Sequence, residues 1–189
     1  MSAPMKERIL IAGIGNIFLG DDAFGVEVVR RLAARKLPDA IRVVDFGIRG
    51  FDLAYALMEG YEITILVDAT PRGGEPGTLY TIEPDLRSVP APQTGVSPAI
   101  DAHSMDPLRV LGLVKALGGE CKRIFIVGCE PEALDAEEQM QGRMGLSEPV
   151  ERVVGKAADV IVSLTTKLLA EPGETLTKSS RETALPVNP

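Results

Sequence analysis

The sequence is poor in several residue types that often carry structure or chemistry. Its 189 residues include no tryptophan, one histidine and only two cysteines. The cysteines, Cys121 and Cys129, flank one predicted strand, so we expect them to lie about 25 Å apart, far beyond the ~7 Å reach of a disulfide. A chain without this crosslink suits a reducing compartment, and we therefore predict a cytoplasmic protein.

Long apolar runs and excess positive charge are also missing. No run approaches the roughly 20 apolar residues of a membrane span, and residues 1–8 lack the apolar core that a signal peptide needs. The net charge is −7, with the acidic residues dispersed along the chain. We therefore expect neither nucleic acid nor a membrane surface as a partner.

Apolar composition and its periodicity indicate an α/β fold. A chain that is 45% apolar at this length suits one domain, which we predict over residues 1–170. Residues 171–189, rich in proline, threonine, serine and charge, are predicted to be a disordered tail. Apolar runs without polar alternation are typical of buried parallel strands. Strands are predicted at 9–12, 41–46, 63–67, 78–83 and 124–128, and helices at 21–36, 51–58, 107–117 and 148–168.

Alternation of these strands and helices predicts a single three-layer α/β/α domain. Its sheet is expected to be mostly parallel and five-stranded, with residues 78–83 as an edge strand and helices on both faces. The helices show no obvious second apolar face, so we expect a monomer.

The stretch from Ile9 to Gly25 contains a strand, a turn and the start of a helix. Glycine and asparagine at residues 13–16 tolerate the backbone angles of a tight turn. Asp21 is predicted to be the N-cap of the following helix. Gly25 lies inside that helix and indicates either close packing on the sheet or room for a substrate, and the sequence does not choose between them.

Four polar side chains are predicted near the carboxyl edge of the sheet, where this architecture places its ligand sites. Asp22, Asp45 and Asp68 are each expected at or just past the carboxyl end of a predicted strand, and His103 follows a long loop over residues 84–101. Two carboxylates and one imidazole suit a divalent transition metal such as zinc or nickel, and they leave some of its coordination positions open. By spacing alone, however, Asp22 is more often a helix cap, Asp68 an Asx turn and His103 a surface residue.

Two other kinds of site match the sequence in part. Gly13 and Gly15 begin a dinucleotide fingerprint with Asp45 as the ribose acceptor, but Phe18 replaces its third glycine and the acidic pair that follows would repel a pyrophosphate. Cys129 lies on the same edge and could pair with His103 as a nucleophile, although a small apolar role is the simpler interpretation. No G-x-S-x-G elbow of a serine hydrolase is present.

An ordered set of motifs over about residues 6–170 resembles the [NiFe]-hydrogenase maturation endopeptidases. The most specific is the opening motif, which ends at Asp21-Asp22-Ala-Phe-Gly25. The family usually has Asp-Gly-Gly where this sequence has Asp45-Phe46-Gly47. Phe46 thus replaces the first glycine of that motif. The matching segments are Gly13–Gly25, Asp45–Gly50, Val67–Ala69, His103 before a helix, Gly128–Glu132 and Gly145–Pro149.

This resemblance implies a function and a site. Family members remove a C-terminal extension from the precursor of the hydrogenase large subunit after nickel insertion, with the substrate's nickel as the recognition signal. Asp22, Asp68 and His103 would be both the metal ligands and the catalytic residues of this aspartic-type endopeptidase-like hydrolase. Nickel would come from the substrate, and other divalent metals are expected to fit. The alternative is a non-catalytic, nickel-sensing maturation factor on the same fold.

Overall fold

A computed structural model describes residues 8–87, 107–133 and 142–170, together with the backbone of residues 183–184. A short 3-10 helix, Gly20–Ala23, is called the 3-10 turn below. The strands are β1 Ile9–Ile14, β2 Ile41–Gly47, β3 Ile63–Ala69, β4 Leu79–Ile82, β5 Ile124–Cys129 and β6 Thr183–Ala184. The helices are α1 Phe24–Ala33, α2 Gly50–Leu57, α3 Pro107–Ala116 and α4 Glu148–Ala170.

The strands form one mostly parallel sheet in the order β2-β1-β3-β5-β4-β6. Strands β2, β1, β3 and β5 are parallel, and β4 runs antiparallel to β5. All five predicted strands are present. The two-residue β6 pairs with β4, because the outer side of β4 offers free backbone hydrogen-bonding groups. The rest of the predicted tail lies outside the described residues.

Helices cover both faces of the sheet, as predicted. On one face α1 and α4 pack over alternate residues of β1 and β3, and on the other α2 and α3 cover the intervening residues. All six residues of β1 are buried, as expected of a central parallel strand. Phe24 and Leu32 of α1 are fully buried, and each contributes roughly 1.5–3 kcal/mol. This packing fixes α1 against β1 and β3.

Helix boundaries differ from the prediction in one place that bears on the site. The first helix was expected from Asp21, but α1 begins at Phe24 because residues 20–23 form the tighter 3-10 turn. It ends at Ala33, short of the predicted Lys36. Helix α4 begins directly after Ser147, as expected, and the amide of Glu151 donates to the Ser147 carbonyl.

Helix α2 carries an apolar surface that the sequence analysis missed. Phe51 and Tyr55, one helical turn apart, are 51% and 61% exposed. The monomer prediction relied on the absence of such a face, so this reason for it is wrong. Among the described residues, no helix is both long and apolar enough to span a membrane.

Candidate active site

The carboxyl edge of the parallel strands carries two of the predicted site residues. The segment after β1 forms the 3-10 turn with Asp22, and this turn packs against β3. Asp68 is the penultimate residue of β3, so it lies within the strand rather than beyond it as predicted. Ligands bind at this edge in open α/β sheets.

Two glycines allow the close approach of these segments. Gly15 has a φ of 131°, and a Cβ atom placed on it would lie 1.7 Å from the carbonyl oxygen of Asp22. A Cβ atom on Gly25 would lie 2.0 Å from the Val67 carbonyl oxygen and 2.3 Å from that of Ile14. Gly25 therefore serves close packing of helix on sheet, and this decides between its two interpretations. The packing places Asp22 near the end of β3.

One oxygen of the Asp22 carboxylate is held by the preceding loop. The Asn16 amide donates to Asp22 Oδ2 at 2.6 Å. Burial raises the pKa of Asp22, and the Asn16 hydrogen bond partly opposes this. Of the residues that the structure describes, none donates to Oδ1. The side chain therefore combines a fixed orientation with raised basicity, which suits cation binding or proton transfer.

Asp68 has an almost fully buried side chain. It is 5% exposed and lies opposite Gly128 of β5. The preceding residue, Val67, presents its carbonyl oxygen to Gly25. Asp22 and Asp68 thus belong to adjoining segments at one edge of the sheet.

His103 lies outside the described residues, and so does most of the loop that leads to it. Within the parts of the chain that the structure describes, no group of three histidine, cysteine or acidic residues is placed to hold a metal ion. Two of the three expected ligands, Asp22 and Asp68, belong to this part. The complete set with His103 stays a prediction.

Asp45 is held by neighbours on the protein surface. It lies within β2, and its Oδ2 is 3.7 Å from Nε of Arg30 on α1. The Arg49 guanidinium donates to the backbone carbonyls of Asp45 and Phe46. The side chain of Asp45 therefore forms an exposed ion pair with α1.

Asp21 has a role that the sequence analysis assigned wrongly. The residue at the N-cap of the 3-10 turn is Leu19, and no side chain caps it. The Asp21 carboxylate is 4% exposed and accepts three hydrogen bonds, from Ser147 N at 2.6 Å, Ser147 Oγ at 2.8 Å and Glu132 N at 2.8 Å. Both partners belong to the last two motifs of the resemblance, which was the signal available in the sequence.

Glu130 is a second buried carboxylate that the sequence analysis missed. It accepts hydrogen bonds from the amides of Arg72 and Gly73 and from the Tyr80 hydroxyl at 2.7 Å. Burial favours its neutral form, but these donors outweigh burial and hold the pKa of Glu130 below its usual range. The same hydrogen bond is the main cause that raises the pKa of Tyr80 to about 12. Glu130 thereby fixes the loop that follows β3.

The two alternative sites are not supported by the geometry. Cys129 is fully buried, and burial, followed by the charge of Asp21, raises its pKa to about 12. It is a small apolar strand-end residue rather than a thiolate nucleophile. In the dinucleotide interpretation, the turn after β1 would offer its amides to a phosphate. The Asn16 amide instead donates its hydrogen bond to the Asp22 carboxylate, so it is not free to bind a phosphate.

Comparison with known proteins agrees with the fold and motifs. The family model for hydrogenase maturation protease matches residues 26–164. A Methanocaldococcus jannaschii protein named for this family is 35% identical over 165 residues, 83% of this chain and 96% of that protein. The hydrogenase 2 maturation protease of Escherichia coli is 29% identical over 157 residues, 82% of this chain and 89% of that protein.

A solved structure shows the same architecture. The hydrogenase maturating endopeptidase HybD from E. coli matches with a TM-score of 0.65 and 25% identity, over 85% of this chain and 93% of that chain. This chain shares a three-layer α/β fold with that structure, and it carries Asp22 and Asp68 at the carboxyl edge of its sheet. The chain belongs to the hydrogenase maturation protease family. Its activity is accordingly the proteolytic processing of a hydrogenase precursor.

Proposed function

We propose that this protein is an endopeptidase that removes the C-terminal extension of a nickel-loaded [NiFe]-hydrogenase large-subunit precursor. The substrate's own nickel serves as the recognition signal. One observation carries the proposal: Asp22 and Asp68 belong to adjoining segments at the carboxyl edge, where the 3-10 turn packs against β3. His103 completes the site.

The chemistry of these side chains fits a borderline divalent metal. Carboxylate and imidazole ligands suit nickel, zinc and neighbouring metals. Oδ1 of Asp22 accepts no hydrogen bond from a described residue, and we propose it as the oxygen that binds the metal. Three protein ligands would leave coordination positions for the groups with which the precursor already holds its nickel. Affinity for the precursor would then depend on whether nickel has been inserted.

The same arrangement explains how cleavage follows recognition. Nickel held between substrate and enzyme would position and polarise the scissile carbonyl for attack by water. One of the two carboxylates would accept the proton of that water.

The surface beside the site suits a protein substrate. Phe18 and Ile48 follow β1 and β2 at the carboxyl edge, and they are 60% and 45% exposed. Large apolar side chains at a surface are typical of protein interfaces. A macromolecular partner such as the precursor would cover them, whereas a nucleotide would not.

The proposal is tested by the intact mass of a matched large-subunit precursor, nickel-loaded or nickel-free, after incubation with this protein. We expect loss of a C-terminal peptide only from the loaded precursor. The variants His103→Ala and Asp22→Asn should abolish the loss while far-UV circular dichroism stays that of the wild type. Asn at position 22 keeps an acceptor for the Asn16 amide, so it removes charge with little change in shape.

Three results would contradict the proposal. Cleavage that is unchanged in His103→Ala, or equal with and without nickel, would exclude nickel-gated cleavage at this site. Binding of the loaded precursor without any change in its mass would instead support the non-catalytic nickel-sensing factor.

Size-exclusion chromatography of the free protein would test the monomer prediction.

A further inference from the structure

We propose that Asp21 is a positioning residue that sets the orientation of Asp22. The inference rests on the proposed function, because it gives Asp22 its role. Asp21 directly precedes Asp22 in the 3-10 turn, and its own carboxylate is directed to other parts of the chain. Asp21 itself would touch neither the substrate nor its nickel.

The contacts of Asp21 bind the turn to two distant segments. Oδ1 accepts from the Ser147 amide, and Oδ2 accepts from the Ser147 hydroxyl and the Glu132 amide. Ser147 precedes α4, and Glu132 follows β5. Hydrogen bonds to a charged acceptor are about twice as strong as those between neutral groups. Asp21 is therefore a strong buried anchor for the turn.

The 3-10 turn also packs against β3 and leads directly into α1. Its N-cap provides no side-chain hydrogen bond. The Gly20 amide donates to the Arg143 carbonyl at 2.6 Å, and Arg143 is paired with Glu132 at 3.0 Å. Both anchors thus lead from the turn to three described residues between β5 and α4, namely Glu132, Arg143 and Ser147, which together form the frame that holds the turn.

Orientation of the turn determines where Asp22 points. Side chains of consecutive residues in a 3-10 helix diverge by about 120°. Asp21 faces the frame, so Asp22 faces the loop after β1, where Asn16 holds its Oδ2. Rotation of the turn after loss of the Asp21 contacts would move the Asp22 carboxylate away from Asp68. Partners that orient metal ligands typically contribute about 10–100-fold to affinity or activity.

A purely structural role for Asp21 predicts a different result. If Asp21 only holds segments together, its loss lowers the melting temperature, but the molecules that remain folded are fully active. If Asp21 positions Asp22, the folded molecules themselves bind nickel less tightly and cleave more slowly. Nickel affinity and kcat, measured well below the melting temperature, separate these roles.

The experiment compares wild type, Asp21→Asn, Ser147→Ala and the control Ser163→Ala in the full chain. Ser163 is exposed on α4, so its variant repeats the serine-to-alanine change away from the frame. Isothermal titration with Ni²⁺ alone gives affinity, processing of the nickel-loaded precursor gives kcat and KM, and thermal unfolding gives the folded fraction.

We expect Asp21→Asn to lower kcat and Ni²⁺ affinity by about 10–100-fold in the folded protein. Ser147→Ala keeps two of the three hydrogen bonds and should cause a smaller loss of both, and Ser163→Ala should cause none. If Asp21→Asn fails to fold, Ser147→Ala decides by the same two readouts.

Values of kcat and Ni²⁺ affinity within twofold of wild type in a folded Asp21→Asn would overturn the inference. A loss that only follows the unfolded fraction would do the same. These results leave the proposed function intact. A wild-type protein that neither binds Ni²⁺ nor cleaves the loaded precursor would overturn the proposed function, and the inference with it.

Discussion

Substitution of Gly25 by alanine is the sharpest test of how the fold builds the site. Gly25 is buried in the first turn of α1, and because it has no side chain, it contributes no side-chain group to the substrate. A Cβ atom there would lie 2.0 Å from the carbonyl oxygen of Val67, whereas ordinary contact begins at 3.4 Å. The helix would have to retreat by about 1.4 Å, because backbone atoms in a close-packed interior cannot rotate away as a side chain can.

The size of the effect follows from two opposing contributions. Alanine gains at most about 1 kcal/mol over glycine in a helix. Overpacking costs typically 1–3 kcal/mol, and contact with the main chain at Val67 and Ile14 places Gly25 at the upper end. We expect Gly25→Ala to lower the free energy of unfolding by about 2 kcal/mol, or the melting temperature by about 4–8 °C.

The rate of precursor cleavage should fall by more than the loss of folded protein alone would cause. The 3-10 turn with Asp22 leads directly into α1, so retreat of the helix moves Asp22 relative to Asp68. A misplacement of about 1 Å can cost roughly 100-fold in rate. We therefore expect kcat for the nickel-loaded precursor to fall by about 100-fold in folded Gly25→Ala.

Thermal unfolding and precursor processing measure the two effects, with Gly155→Ala as the matched control. A Cβ atom on Gly155 of α4 would meet only the end of the Arg31 side chain, at 3.2 Å. This flexible group can move, so Gly155→Ala should be neutral or slightly stabilising and fully active. A Gly25→Ala variant as stable and active as Gly155→Ala would refute the packing argument.

The remaining predictions concern buried groups near the carboxyl edge. Tyr80→Phe removes one hydrogen bond from the buried Glu130 carboxylate and should lower the free energy of unfolding by about 1–3 kcal/mol. The folded pKa of Tyr80, about 12, exceeds its unfolded value near 10. Its contribution is therefore complete below pH ~10 and disappears as pH rises through about 12, so urea titrations of wild type and Tyr80→Phe should converge there; a gap that persists would contradict this. The folded pKa of Glu130 is lowered, so its contribution is present above about pH 4.3 and disappears as pH falls through the folded pKa. Glu130→Gln should accordingly be less stable than wild type at pH 7 and lose less stability on acidification, and a parallel decline would argue against this assignment. Cys129 should resist iodoacetamide in the native protein at pH 8, because it is buried with a pKa of about 12; rapid labelling in intact-protein mass spectra, with loss of cleavage, would revive the cysteine nucleophile.

The sequence by itself determined the layers of the fold. Apolar runs without polar alternation at residues 9–12, 63–67 and 124–128 predicted central parallel strands, and they became β1, β3 and β5. This works because burial on both faces leaves a pattern in each segment separately. The sequence also places Asp22 and Asp68 after or at the ends of predicted strands. Because the carboxyl ends of parallel strands lie at one edge of the sheet, this indicated that both residues belong to that edge.

Tertiary structure alone decided how the side chains of the site are held. Asp21 matched a helix cap, yet its partners Glu132 and Ser147 lie more than 100 residues along the chain. The choice for Gly25 between packing and substrate space depended on the carbonyl of Val67. Periodicity and local propensity report the burial and conformation of one segment. They do not report which distant segments meet, and at this edge those meetings determine which groups hold the Asp21 and Asp22 carboxylates.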